Sequence, residues 1–260
     1  MKKTLPIVNG VALVSTIVMN YLSNTGVFNG QTMKTVSDAY FNYFTPAGYA
    51  FSIWGLIYLA LFAFVFYSGR TLFNAKIQEP ILEKIGWWFA ISCVGNSLWV
   101  VAWLYLYPAL AALIMFVILF SLLKIVLIIQ PEMVKSSFKR RLLILFPFSL
   151  YVGWISVAWI ANIAAWLTKI DWNGWGISAE YWTITLIVIA GLVNILAHFK
   201  LNLKAFLAVG IWALIAISVS NTKNDGPQSI ICACYVIASI LLVVLLLSFL
   251  KKSIQPNITD

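Results

Sequence analysis

The stretch FTPAGYAFSIWGLIYLALFAFVF, residues Phe44–Phe66, decides how this chain folds. A turn signal at Thr45–Gly48 leads directly into an apolar run that is long enough, at about twenty residues, for a helix that crosses a bilayer. Phe51, Trp54 and Tyr58 stand at positions i, i+3 and i+7, so they share one helical face. Lipid requires only generic apolar side chains. A row of aromatic residues with polar edges therefore indicates the wall of a pocket.

The composition of the chain indicates an integral membrane protein. Its 260 residues are 62% hydrophobic and only 10% charged, whereas soluble chains carry about 25% charged residues. The backbone of a membrane-spanning segment must satisfy its own hydrogen bonds, so it forms helices or a closed barrel. The apolar runs lack the alternation of barrel strands, and we therefore predict an all-α membrane protein.

Eight apolar runs are long enough to be transmembrane helices. The first run follows Met1-Lys2-Lys3, as in a signal peptide, but Leu5–Leu22 is longer than a usual signal core and no clear cleavage site follows it. We therefore expect a retained helix. The predicted spans are 5–22, 47–68, 85–107, 109–130, 142–167, 179–199, 203–220 and 228–250.

The distribution of Lys and Arg predicts that both termini are cytoplasmic. Only Lys34, Lys169 and Lys223 of the seventeen basic residues then lie outside. The net charge of +9 is explained by this topology, so we expect the lipid bilayer, and no nucleic acid, as its partner. The cytoplasmic set comprises Lys2, Lys3, Arg70, Lys76, Lys84, Lys124 (which snorkels), Lys135, Lys139, Arg140, Arg141, Lys200, Lys204, Lys251 and Lys252.

The acidic residues argue against most conventional chemistry within the membrane. All eight fall in connections or at span ends, whereas ion-coupled transport generally uses a buried carboxylate. The sequence offers no clustered metal ligands, and His198 reads as an interfacial residue. Cys93, Cys232 and Cys234 lie in apolar runs, where a thiol acts as a small hydrophobe. We therefore expect no metal, no catalytic residues and no required cofactor.

Two further stripes combine aromatic and amide side chains. Asn96, Trp99 and Trp103 face one way on the third span. A buried Asn in a membrane helix needs a hydrogen-bond partner, which is either another helix or a ligand. The fifth span carries, at four-residue spacing, Trp154, Ala158, Asn162 and Trp166, and the small Ala158 would let a flat ligand approach.

Two outer loops are rich in aromatic residues. The loop Ser23–Thr45 ends in the cluster Tyr40–Phe44 and either caps a pocket or forms part of an interfacial aromatic belt. For the loop Asp171–Gly176 the belt interpretation is favoured.

Three segments together resemble the TspO/MBR family, the tryptophan-rich sensory or translocator proteins. The segment Thr45–Tyr58 is similar to the family's TPPxWVFGPVWTxLY signature, with Tyr49 in place of its first Trp. Asn96–Trp99 resembles the family's NALW, and Trp154–Asn162 resembles its WVSFATYLN. The order of these segments across five spans makes the set fairly specific.

The resemblance implies a five-helix ligand-binding domain at residues 1–168, followed by three further helices at 169–260. It implies a flat apolar ligand such as a tetrapyrrole (porphyrin or heme), and a homodimer as one assembly. Stacking on Trp and Tyr faces, with Asn amides that fix orientation, would hold the small molecule. The ligand-binding residues would be Tyr49, Phe51, Trp54, Tyr58, Asn96, Trp99, Trp103, Trp154, Ala158, Asn162 and Trp166.

Our leading hypothesis is therefore a sensory or receptor-like protein of a bacterial cytoplasmic (inner) membrane, and we favour binding over enzymatic activity. One alternative is a transporter or exporter of a small apolar solute, whose path Asn194 and Ser218 could line. A second alternative is a photo-oxidative enzyme that degrades a bound porphyrin.

Overall fold

The computed structural model of the chain describes residues 4–74, 79–134 and 136–253, the last three of them by backbone alone. These residues form helices joined by short connections, and they contain no strand. The α-helices are α1 (Thr4–Leu22), α2 (Met33–Ala39), α3 (Ile53–Phe73), α4 (Pro80–Ile85), α5 (Trp88–Leu104), α6 (Pro108–Met133), α7 (Phe138–Arg140), α8 (Phe146–Lys169), α9 (Ala179–Leu201), α10 (Lys204–Lys223) and α11 (Gln228–Ser253).

The predicted all-α membrane fold is confirmed. Seven helical segments of the described chain are long and apolar enough to cross a membrane, and α5 is an eighth apolar helix of 17 residues. Helix α5 is shorter than the predicted span 85–107 because the backbone turns at both ends. Gly86 has a φ of 55° and ends α4, and Leu106 has a φ of 64° beyond the last turn of α5.

The chain divides into two compact units. Unit 1 comprises Met1–Asn42 and Phe51–Trp172, and unit 2 comprises Tyr43–Ala50 and Asn173–Asp260. The division at 168/169 that the sequence suggested stays a prediction of domain limits. It did not anticipate that the short segment Tyr43–Ala50, which precedes α3, packs with the last three helices.

Unit 1 is built on five long helices, α1, α3, α5, α6 and α8. The hydroxyl of Thr16 on α1 donates to the carbonyl of Cys93 on α5 at 2.9 Å. Gly95 allows α5 to approach α6 closely, because a Cβ there would lie 2.9 Å from Cγ1 of Ile118. Trp159 on α8 donates its Nε1–H to the carbonyl of Ala112 on α6 at 3.1 Å. Hydrogen bonds from side chains to carbonyls, and close approach at a glycine, thus hold these helices together. Such contacts matter in a membrane because lipid is as apolar as the helix surfaces, so the hydrophobic effect does not drive helices together.

The start of α8 shows how the chain accommodates a proline in a long helix. A π-helical turn, Arg141–Leu145, links α7 to α8, and the N–H of Phe146 reaches back to the carbonyl of Arg141. Pro147 follows at once in the first turn of α8, where its missing N–H is tolerated. The helix therefore continues without a break from Phe138 to Lys169.

Ion pairs join segments of unit 1 that we predict to be cytoplasmic. Arg140 contacts Glu79 at 2.5 Å, and Tyr67 donates to the other oxygen of that carboxylate at 2.9 Å. Lys84 contacts Glu132 at 2.6 Å. Six basic residues on which the orientation also rests lie outside the described residues or side chains, namely Lys2, Lys3, Lys76, Lys135, Lys251 and Lys252. The acidic Asp260 lies outside them as well.

Unit 2 packs α9, α10 and α11 through small residues. A Cβ on Gly191 of α9 would lie 2.6 Å from Cγ2 of Ile237 on α11. The side-chain amide of Asn194 on α9 packs against Gly210 of α10. A Cβ on Gly210 would lie 2.4 Å from Oδ1 of Asn194. Lys204 donates to the carbonyl of Ser248 at 2.8 Å. Close approach of backbones is the usual means of helix association in membranes.

Candidate ligand-binding site

An aromatic cluster in unit 1 centres on Trp54, in the first turn of α3. Trp54 stacks on Tyr58 with ring centroids 5.3 Å apart and an interplanar angle of 19°. It meets Trp99 of α5 at 6.4 Å, and it meets two rings of α8, Tyr151 at 5.8 Å and Trp154 at 6.5 Å. One indole therefore brings together aromatic residues from three helices.

The cluster continues beyond Trp54 in two directions. Phe51 places its ring edge-on to Trp154, with centroids 6.2 Å apart. Trp99 stacks on Trp103 at 6.3 Å with an interplanar angle of 23°. We call the set Phe51, Trp54, Tyr58, Trp99, Trp103, Tyr151 and Trp154 the Trp54 cluster.

Two asparagines that the sequence singled out hold the rings in place. Asn96 donates to the hydroxyl of Tyr151 at 3.2 Å and accepts from Asn20 of α1 at 2.7 Å. Asn162 accepts from Nε1–H of Trp99 at 3.0 Å, and it donates to the carbonyl of Ala158 at 2.8 Å. Both amides are buried. Their carbonyl oxygens are thus engaged by protein groups, which fixes the orientation of Tyr151 and Trp99.

The hydroxyl of Tyr58 differs from the other polar groups of the cluster. It is buried, and it has no hydrogen-bond partner among the described residues. A polar group without a partner in a low-dielectric interior is costly, and this hydroxyl keeps its hydrogen-bonding capacity unused among the described residues.

The Trp54 cluster is closed in this structure. Trp54, Trp99, Trp103 and Trp154 are each less than a tenth exposed. A flat molecule between two rings needs their planes about 7 Å apart, twice the usual contact distance. The stacked pair Trp54–Tyr58 would have to separate to admit one, so ligand uptake requires side chains or helices to move.

Three predicted site residues do not join the cluster. Tyr49 belongs to unit 2, where its ring lies edge-on to Trp212 at 5.2 Å, and it is 40% exposed. The backbone turn at Gly48–Ser52 separates it from the helical face that carries Trp54. Trp166 is 38% exposed, because four-residue spacing drifts around the helix over three steps. Ala158 has no ring of its own, and its carbonyl accepts from the side-chain amide of Asn162 at 2.8 Å.

The loop that precedes Tyr43, predicted to lie outside, packs on the end of α5 next to the cluster. Tyr40 meets Trp103 edge-on at 6.4 Å. Asn29 donates to the carbonyl of Leu104 at 3.1 Å, and Val36 of α2 is fully buried. This packing favours the cap interpretation for residues 23–42, whereas Trp175 in the later loop is 77% exposed, as expected for a belt residue.

Sequence reasoning missed two members of this site. Tyr151 lies three residues before Trp154 and so shares its helical face, which was a usable signal. Asn20 is a lone amide within the first apolar run, and its need for a buried partner was visible in the sequence. Neither residue lies within the segments that resemble the family motifs.

A concave region, separate from the closed Trp54 cluster, lies between α1 and α5 on unit 1. Its volume is about 480 Å³. The lining is almost wholly apolar and consists of Ile7, Val8, Val11, Ala12, Ser15, Met19, Cys93, Val94, Ser97 and Leu98. We call it the α1–α5 groove, and it is a competing location for an apolar molecule.

The polar residues of unit 2 serve its own packing. The amide of Asn194 donates to the carbonyl of Ala190 at 2.9 Å and lies against Gly210. The hydroxyl of Ser218 donates to the carbonyl of Ile215 at 2.8 Å. His198 is buried near the end of α9 with its ring 5.4 Å from Phe199.

The described acidic residues occupy the positions that the sequence indicated. They lie in connections, in the short helices, or in the first or last turn of a long helix. Among the described residues no group of three or more His, Cys, Asp or Glu side chains could hold a metal ion.

Comparison with known proteins supports the motif resemblance. Residues 6–247 match a family described as TSPO-like protein, so the match also includes α9 and α10 and most of α11. No curated protein and no solved structure matches the chain. Together with its apolar helices, this match identifies an integral membrane protein that belongs to the TSPO-like family.

Proposed function

We propose that the Trp54 cluster binds a flat, conjugated and largely apolar molecule, such as a tetrapyrrole, and that the protein is a ligand-binding sensor. One observation carries the proposal: Trp54 contacts aromatic rings of α3, α5 and α8, and one of these rings, Tyr58, has a buried hydroxyl without a partner among the described residues. Indole and phenol faces are the surfaces on which a flat conjugated molecule stacks.

The polar groups of the cluster suggest what the ligand must carry. Tyr58 can donate a hydrogen bond, and the hydroxyl of Tyr151, which accepts from Asn96, keeps its own hydrogen to donate. A carbonyl or carboxylate oxygen on the rim of the ligand would satisfy these donors. In this scheme Asn96 and Asn162 orient rings and do not themselves select the ligand.

Binding exchanges one set of stacking contacts for another. The rings that now contact each other would contact the two faces of the ligand, so the apolar surface stays buried throughout. The net affinity then depends on the extra area that the ligand brings and on the hydrogen bond to Tyr58. The cost is the separation of Trp54 from Tyr58.

A titration tests the proposal. The full chain in lipid nanodiscs is titrated with protoporphyrin IX, and quenching of tryptophan emission is followed. Removing the central stacking surface with Trp54→Ala should raise the dissociation constant about tenfold, since one aromatic contact contributes about 0.5–1.5 kcal/mol beyond its area. Tyr58→Phe keeps the ring and removes the hydroxyl, and it should weaken binding about fivefold.

Trp87→Ala is the matched control, because Trp87 is 49% exposed and lies outside the cluster. It should bind as the parent does. Equal affinity of the parent and Trp54→Ala would contradict the assignment of the site.

The proposal includes location and orientation. The excess of basic residues in alternate connections supports an inner membrane of a bacterium, with both termini in the cytoplasm. In that orientation the turn before α3 lies at the outer surface, and the cluster is reached from the side away from the cytoplasm.

A further inference from the structure

The segment Tyr43–Ala50, which we call the lead-in segment, ends one peptide bond before Phe51 of the Trp54 cluster. Residues 44–47 are buried and have no helical structure. Buried irregular backbone must find hydrogen-bond partners, above all in a membrane protein. The structure shows which residues provide them.

Helix α10 provides three partners for the lead-in segment. The N–H of Ala47 donates to the carbonyl of Ala216 at 2.9 Å. The side-chain amide of Asn221 donates to the carbonyl of Tyr43 at 2.8 Å. Nε1–H of Trp212 donates to the carbonyl of Ala50 at 3.3 Å. The lead-in segment is therefore bonded to α10 at its start, its middle and its end.

The residues of α10 suit this task. Trp212 and Ala216 are one turn apart and face the same way. Ala216 is fully buried, and its small side chain lets another backbone reach its carbonyl. Asn221 is also fully buried, and its amide donates both to Tyr43 and to the carbonyl of Ile217 at 2.9 Å. Both hydrogens of that amide are therefore used.

We infer that α10 acts as a tether that fixes the lead-in segment and, through the chain, the first turns of α3, and that Asn221 and Trp212 are positioning residues for the ligand site. The ligand part of this inference rests on the proposed function. It gives α10, one of the three helices beyond the predicted five-helix domain, a role: this helix holds the backbone that leads into Phe51 and Trp54. A ligand that must separate Trp54 from Tyr58 would then escape more slowly while the tether is intact.

Hydrogen exchange measured by mass spectrometry tests the tether without any ligand. The full chain in nanodiscs is compared with Asn221→Ala, and with Trp212→Phe, which keeps a ring against Tyr49. Loss of one hydrogen bond should speed exchange between about twofold and tenfold. The increase should cover residues 43–50 and extend to 51–58. Asn224→Ala is the matched control, because the side-chain amide of Asn224, just after α10, donates to the carbonyl of Ser220 in the last turn of that helix and to no residue of the lead-in segment.

A second arm measures release of protoporphyrin IX by stopped flow after dilution into empty nanodiscs. Both tether variants should release it between about twofold and tenfold faster, with Asn224→Ala like the parent. Unchanged exchange at 43–50 would overturn the inference, as would faster exchange that stops at residue 50. Faster exchange with unchanged release would also overturn it. If the parent does not bind protoporphyrin IX, the proposed function fails, and the exchange at 51–58 still decides the tether.

Discussion

Buried asparagines do different work in the two units. In unit 1, Asn96 and Asn162 bond to the polar edges of Tyr151 and Trp99 and so fix aromatic rings. In unit 2, Asn194 lies against Gly210, and Asn221 holds the carbonyl of Tyr43. An amide in an apolar helix is therefore not by itself a sign of a ligand site. The groups around the amide determine its role. In unit 1 these groups are aromatic rings, whereas in unit 2 they are a glycine and an irregular backbone segment.

The same contrast applies to the aromatic residues. Trp54 contributes to a buried cluster of rings, whereas Trp212 contributes one ring contact and one hydrogen bond to the lead-in segment. The proposed ligand site accordingly lies in unit 1, and the residues proposed to position it lie in unit 2.

The largest effect should follow Trp54→Ala. The substitution empties the centre of a packed cluster, and truncations of this kind cost about 3–5 kcal/mol of folding free energy. Unfolding in mixed detergent micelles should detect the loss. Trp87→Ala should change the free energy of unfolding by about 0.5 kcal/mol or less. Equal stability of the two variants would show that Trp54 is not the centre of packing in unit 1.

A smaller loss should follow Asn162→Leu. The substitution leaves Nε1–H of Trp99 without its acceptor, and a buried donor without a partner costs about 1–3 kcal/mol. Tryptophan emission should shift as well. Asn194→Ala in unit 2 strands no donor, because its amide donates to a carbonyl of its own helix. A cost for Asn194→Ala that matches or exceeds that of Asn162→Leu would reverse the contrast between the units.

Substitution of glycine by alanine compares how tightly helices pack in unit 2 and in unit 1. Gly210→Ala places a Cβ on the Asn194 amide, and overpacking of this kind typically costs about 1–3 kcal/mol. Gly95→Ala should cost less, since the contacted Ile118 side chain can adjust. A Cβ on Gly69 meets nothing within 4 Å, so Gly69→Ala is the control. Thermal unfolding of all three checks the order.

The smallest effect concerns transport. Asn194 and Ser218 bond within their own helices, so we expect no path that they line. Proteoliposomes that contain the full chain should accumulate protoporphyrin IX no faster than empty liposomes. Accumulation that depends on Asn194, and is abolished by Asn194→Ala, would favour the transporter alternative over the sensor.

Much of this architecture follows from sequence patterns. Apolar runs and the Pro and Gly signals predicted every long helix, and helical spacing grouped Phe51 with Trp54 and Asn96 with Trp99. Periodicity describes one helix at a time, however. It could not show that Asn96 and Asn162 face protein groups, because partners on other helices depend on packing. The family resemblance placed Tyr49 in the site, and the short turn at Gly48–Ser52, which separates Tyr49 from the face of Trp54, has no periodic signal.

The lead-in segment also shows that local sequence patterns do not predict hydrogen-bond partners that are distant in the chain. Its sequence, YFTPAGYA, predicted a turn. Nothing local in it indicates that Asn221, almost two hundred residues later, would bond to Tyr43. Such a partner is set by tertiary structure and is invisible to pattern reasoning.

The most direct test of the central claim is a structure of the full chain with protoporphyrin IX bound in nanodiscs. The account predicts flat density against the ring of Trp54, with Tyr58 moved off its present stacking position and its hydroxyl within hydrogen-bond distance of an oxygen of the ligand. Density in the α1–α5 groove, with Trp54 and Tyr58 still stacked, would contradict it.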